Sequence, residues 1–328
     1  MELVQAILLT IVTASTPLLI AATGELVVER SGVLNLGVEG MMIIGAAVGF
    51  AAAFSFDNAV IGVFAAIVAG MALSALFAFM TLGLAANQVA SGLALTILGV
   101  GLSGLIGSAF VGQKRDAIPK LSIPGLSDIP LVGPIVFGQD ALVYVSFALV
   151  AAVWWFLTKT RKGLVLRAVG DSHASAHALG YPVRRIRFFA ILFGGGCAGL
   201  AGAYLSLAYT PFWITGMTAG RGWIALALVV FASWLPWRLL AGAYLFGAIT
   251  IGQLHLQAIR AELPDALEMP SQFWTSLPYV ATILVLVLIS RSRARGGAAP
   301  AARGGPVRAE KKSEFSAGWP AAPPARRW

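Results

Sequence analysis

Apolar stretches separated by short polar interruptions run along the chain at 3–23, 37–56, 59–83, 89–111, 140–158, 188–209, 222–235, 239–256 and 273–290. A helix needs about 20 apolar residues to cross a hydrocarbon core of roughly 30 Å. No segment repeats the alternation over about ten residues that a membrane β-barrel requires. The pattern predicts an all-α integral membrane protein, a polytopic bundle of about 8–10 transmembrane helices. Nine spans are read directly, and the ambiguous region 24–36 adds a short or broken tenth if it is helical. The run 3–23 lacks a basic leader and is too long for the core of a signal peptide, so it reads as a retained first span.

Composition agrees with this pattern. Of 328 residues, 58% are hydrophobic and only 11% charged, and mean hydropathy is +0.84. A soluble surface cannot be built from so few charges. The net charge of +9 falls in two blocks rather than on a folded basic face, which argues for membrane orientation and against nucleic-acid binding. One block is the loop 159–187, with Lys159, Arg161, Lys162, Arg167, Arg184, Arg185 and Arg187 against the single acid Asp171. The other follows residue 290 and begins Arg291, Arg293, Arg295. Positive loops face the cytoplasm, so both blocks are expected there, and nine spans then put the N-terminus outside. The tail 291–328 lacks apolar periodicity and is expected to be a disordered cytoplasmic extension of a permease domain spanning 1–290. Cys197 lies among glycines and reads as a packing residue, and no metal-ligand spacing occurs.

Three places break the apolar pattern. In Glu29–Met42, glycines at 32, 37 and 40 interrupt a run containing Asn35 and Glu39. A charge at mid-membrane costs roughly 2.5–3.5 kcal/mol, so Glu39 should face protein or water rather than lipid, unless it sits at the headgroups as a loop cap. The stretch Thr215–Trp223 repeats this layout, with Gly216, Gly220, Arg221 and Gly222 leading into a short apolar helix. Paired Gly-interrupted segments in two halves point to a transport site between repeats. They predict two weakly similar, inverted halves. The third break is Asn87-Gln88, two amides at a helix start. Asn35, Glu39, Asn87, Gln88, Arg221 and Trp223 are therefore the candidate residues of a translocation pathway. Helix capping for the amides and interfacial anchoring for Arg221 are the plainer alternatives.

Within the basic loop, Asp171 or Ser172 can cap a short helix with small residues at Ala174, Ser175 and Ala178, ended by Gly180. A small amphipathic helix at the cytoplasmic face suits docking into another protein's groove.

The stretches Glu29–Met42, NQVASGLAL from Asn87, Leu166–Tyr181 and GRGWIALALV from Gly220 resemble the permease subunits of bacterial ABC importers. The nearest group is the nucleoside and simple-sugar permeases within the ribose and branched-chain amino-acid permease superfamily. The resemblance covers residues 3 to about 290. It implies a permease of the bacterial plasma membrane that pairs with itself or a sister permease amid membrane lipid. Two cytoplasmic ATPases carrying ATP and Mg would drive it, and an extracytoplasmic solute-binding lipoprotein would deliver nucleosides or a related small polar solute. Loop 166–181 would be the coupling helix, with Arg167, Gly170, Asp171, Ala176, Leu179 and Gly180 at the ATPase contact. Ser172-His173 stand where the family often has Asn-Pro, which alters the start of that helix. The chain itself holds no GxxxxGK[ST] phosphate loop and no nucleophile–base constellation, so it is expected to bind no cofactor and to be no enzyme. An ion-coupled secondary transporter is the rival reading. It would need central acids in the spans, where Glu39 is the one good candidate. An ABC permease for a simple sugar is the other.

Overall fold

The computed structural model describes residues 2–121 and 132–260, together with 276, 280 and 283. The expected span 273–290, apart from those three positions, and the tail 291–328 lie outside the described residues. Eleven α-helices are seen among the described residues: α1 (Glu2–Arg30), α2 (Val38–Ser55), α3 (Ala59–Ala78), α4 (Gln88–Gly107), α5 (Val132–Phe137), α6 (Ala141–Lys159), α7 (Arg161–Asp171), α8 (His173–Ala178), α9 (Val183–Tyr204), α10 (Arg221–Phe231) and α11 (Pro236–Arg260). Single π-helical turns continue α3 over Phe79–Gly83 and α9 over Leu205–Tyr209. Six of these helices are long and apolar enough to cross a membrane, and the described residues form no strand beyond isolated bridges. The protein is an all-α polytopic membrane protein.

Two expectations need correction. The first span does not stop at 23 but continues to Arg30, so Glu25, Glu29 and Arg30 are helical. Ser31 and Gly32 close it, with Gly32 at φ 84° and its N–H on the Glu29 carbonyl, a left-handed termination that suits glycine. The region 24–36 therefore adds no tenth helix. The run 222–235 is not a full span either: α10 has 11 residues, about 16 Å of helix. It crosses only part of the bilayer.

Small residues set how closely the bundle packs. α9 lies against α1, α2 and α3, and a Cβ added at Gly45 of α2 would come within 2.5 Å of the Gly199 Cα on α9. Where lipid gives helices no hydrophobic reason to associate, such backbone approach supplies the packing. Cys197 is buried beside Gly24 and serves as packing. Local polar chemistry fixes the ends. Asn58, Asn87, Asp140, Thr160 and Ser172 accept backbone N–H bonds at the starts of α3, α4, α6, α7 and α8, each satisfying donors that a helix start leaves open. Asp140 also accepts from the Tyr204 hydroxyl of α9 at 3.4 Å.

The bundle has two distinguishable ends. Arg30, α7, α8 and the start of α9 gather at one, joined by the Arg187 Nε bond to the Ser31 carbonyl at 3.0 Å. At the far end, Val111 bridges Trp213, Lys114 bridges Phe212, and Arg115 pairs with Asp57 at 3.5 Å. The chain thus enters α1 at the far end and reaches the basic end at Arg30.

Candidate functional site

The two Gly-interrupted segments meet. From the far end, residues 210–220 fold back into the bundle and start α10 against the start of α2. Glu39, in the first turn of α2, is buried. Its Oε1 accepts from the Thr218 hydroxyl at 2.6 Å and the Gly220 N–H at 2.9 Å. Its Oε2 accepts from the Gly222 N–H at 2.6 Å. One carboxylate therefore sits in the first turn of α2 and on the positive pole of the short helix α10. A Cβ at Gly222 would lie 2.6 Å from the Glu39 backbone nitrogen, so only glycine allows the contact. The depth can be placed along α4. Gly40 packs on Leu95 and Thr96, about 12 Å past the start of that helix at Gln88 and about 16 Å before its end. The junction is near mid-membrane.

The other end of α10 is held by the same segment. Arg30 donates through Nε and Nη2 to the Trp234 carbonyl at 3.3 and 2.9 Å, placing a cation at the negative pole of α10. The Trp234 indole N–H donates to Glu29 Oε2 at 2.6 Å. Trp234 adopts φ 55° and Ser233 φ 51°, a left-handed turn that non-glycine residues rarely take. It persists because indole, carbonyl and N–H are all engaged, the last on Val229. Residues 29–39 thus form a strap along α10, with Glu29 and Arg30 at its C-terminal end and Glu39 at its N-terminal end.

The sequence-selected pathway residues are not gathered into one cavity. Asn35 is buried and shapes its own turn, its Oδ1 accepting from the Gly37 N–H at 3.0 Å while its own N–H donates to Glu25. Gln88 is buried and accepts from the Leu34 N–H at 2.8 Å. Asn87 is exposed and caps α4. Trp223 faces outward. Of the six, Arg221 lines a cavity, one of about 180 Å³ shared with Tyr209, Ala219, Phe246, Thr250 and Gln253. Its guanidinium stands 5.8 Å over the Tyr209 ring and donates to the Met217 carbonyl at 2.9 Å. Tyr209, Thr250 and Gln253 escaped the sequence reading. Thr250 and Gln253, the polar positions within the apolar run 245–254 of α11, were the available signal.

The basic loop forms two helices rather than one. Leu166, Arg167, Gly170 and Asp171 lie in α7, and Ser172 caps α8 by accepting from the Ser175 N–H. Gly180, at φ 84°, ends the unit. Gly170 packs on the carbonyl of Arg30, joining the loop to the strap. Arg30 lies within electrostatic reach of Arg167 and Asp171. Ala176 is buried with Val169 and Val183, so it faces the protein and not a partner. The side open to a partner carries Ala174, Ser175, Ala178 and Leu179, and Leu179 is 77% exposed.

Known proteins are similar to this chain in sequence along most of its length. A Haloferax volcanii ABC transporter permease protein, provisionally named for glucose, is 44% identical over 84% of this chain and 88% of its own length. The guanosine ABC transporter permease protein NupQ of Bacillus subtilis is 33% identical over 87% of this chain and 93% of its own. The nucleoside ABC transporter permease protein NupC of Lactococcus lactis is 32% identical over 87% and 92%. No solved structure matches. The family described as the permease component of the branched-chain amino acid transport system matches residues 7–289, and the chain belongs to it as a membrane-embedded transport subunit.

Proposed function

We propose that the protein is the permease of an ATP-driven importer for a neutral, hydroxyl-rich solute, a nucleoside in the first instance. The observation that carries this reading is the Glu39 junction. Half-helix N-termini at mid-membrane are positive poles that transporters aim at anionic solute groups. Here the short helix α10 spends its N-terminal N–H groups on an internal carboxylate, that of Glu39. Arg221 is likewise occupied by carbonyls and the Tyr209 ring. The N-terminus of α10 and Arg221 are thus both engaged within the protein, while Tyr209, Thr250 and Gln253 offer neutral hydrogen-bonding groups of the kind that read hydroxyls and amides. The Arg221 cavity is smaller than the 300–1,000 Å³ of a typical small-molecule site. It is a constriction on the pathway rather than a resting place. The names of the Bacillus and Lactococcus relatives point to nucleosides.

ATP and Mg would be held by partner ATPases that dock on α8 at the cytoplasmic face. An extracytoplasmic binding protein would deliver the solute to the far end, where Asp57, Lys114, Arg115 and Asp116 line an open polar hollow. A sister permease, or a second copy, would complete the pathway in a bacterial plasma membrane. A simple sugar is the second reading, favoured by the name of the Haloferax relative. Uptake of labelled guanosine, adenosine and glucose in a strain deleted for this chain decides between them. Loss of guanosine and adenosine uptake with glucose unchanged is expected. Loss of glucose uptake alone would reassign the solute, and no loss of any of the three would sink the reading.

A further inference from the structure

At the basic end an apolar crevice of about 690 Å³ opens between α6, α7 and α9, with α1 as its floor. Phe156 of α6 and Phe189 and Phe193 of α9 line it, and Phe189 is 67% exposed. Its mouth is different in kind. Arg161 and Lys162, exposed on the first turn of α7, and Tyr181 stand there, and Arg184 and Arg185 are exposed on the adjoining turn of α9.

The dimensions match one half of a bilayer. From Val183 at the start of α9 to Phe193 is ten residues, about 15 Å of helix, or half of a hydrocarbon core of roughly 30 Å. The crevice thus begins at the headgroup level of the basic end and stops near the midplane. Apolar walls of that depth under a cationic mouth complement an acyl chain beneath a phosphate. Basic pockets between transmembrane helices on this side of a membrane hold anionic headgroups in the same way. A docked helix from another protein would have to bring acids to the same level and leave the walls dry. A lipid meets both demands at once.

We infer that this crevice is a binding site for an anionic phospholipid of the leaflet at the basic end, its phosphate held by Arg161 and Lys162 and one acyl chain seated between Phe156, Phe189 and Phe193. The lipid fills the space that α6 and α9 leave beside α1 and props α7, the helix that precedes the docking helix α8. The site is independent of the solute that the permease carries.

The test uses the full chain in mild detergent, with native mass spectrometry of retained lipid and the thermal midpoint after adding phosphatidylglycerol or phosphatidylcholine. Retention of phosphatidylglycerol and a higher midpoint with it than with phosphatidylcholine are expected. Two variants separate the ends of the site. The double change Arg161→Gln and Lys162→Gln should lower the preference for phosphatidylglycerol roughly thirty-fold, the factor two surface cations carry for an anionic headgroup. Ala152→Trp, from an exposed position on the crevice wall, should expel the lipid with both cations in place. Equal retention of the two lipids by the parent chain would overturn the inference, as would phosphatidylglycerol retention unchanged in both variants. A dimer that buries Phe189 and excludes lipid would overturn it too, assigning the crevice to a second copy.

Discussion

Glu39 is the residue on which the two readings of this protein divide. As a pathway group it would face solute. As a junction it holds Thr218, Gly220 and Gly222 in place. Substitution by glutamine tests this, because an amide cannot accept from all three donors and presents an N–H to at least one of them. An unmet buried donor costs about 1–3 kcal/mol, so Glu39→Gln is expected to lower the thermal midpoint in detergent and uptake together. Gly222→Ala should do the same by overpacking, at about 1–3 kcal/mol, since its Cβ would meet the Glu39 backbone. Normal stability with lost uptake in Glu39→Gln would instead return Glu39 to the pathway. How much of this was legible varies by residue. That Glu39 needs protein around it follows from its charge and the apolar sequence beside it. That its partners lie about 180 residues away has no local signal. Nor does the pairing of Glu29 and Arg30 with Trp234, because Trp234 sits in a run whose apolar pattern looks like any other span.

At the scale of elements, α10 and α8 show what patterning misses. Hydropathy extends α10 to 235 because Ala232 to Leu235 are mostly apolar. Backbone geometry ends it at Phe231, and Pro236 starts α11 with a ring that needs no N–H there. In α8 the sequence offers a stripe of small residues without saying which side of it is covered. Packing against Val169 and Val183 decides, burying Ala176 and turning Leu179 outward. Two substitutions separate packing from docking. Ala176→Asp buries an unpaired charge and is expected to lower the thermal midpoint, with less inserted protein in the membrane. Leu179→Asp alters an open surface and should leave insertion and midpoint unchanged while abolishing uptake and the coupling of ATP hydrolysis to it. Full uptake with Leu179→Asp would remove α8 from the ATPase interface.

Across the whole molecule, the crossing pattern and the basic loop imply one another. α1 runs from the far end to Arg30, α2 and α3 return across the bundle, and α4 leads to the Val111–Trp213 contact at the far end. After α6 descends to Lys159, α9 climbs again to meet that contact at residue 213. The segment 210–231 then re-enters, turns at Glu39 and arrives beside Arg30. On this path Lys114 and Leu179 fall at opposite ends of the bundle, and the positive residues around Leu179 predict that its end is the inside one. The chain has a single cysteine, Cys197, which is buried, and replacing it by alanine removes one small side chain. In that background, Lys114→Cys should react with a membrane-impermeant maleimide in intact cells. Leu179→Cys should react in inverted vesicles and stay unlabelled in intact cells. Labelling of both from the same side would break the crossing pattern. Both labelled, each from the opposite side to that expected, would keep the pattern and reverse the molecule in the membrane, moving α8 away from any cytoplasmic ATPase. Orientation and energy coupling are thus one question: the loop that orients the chain by its cations is also the surface on which a partner's work would enter.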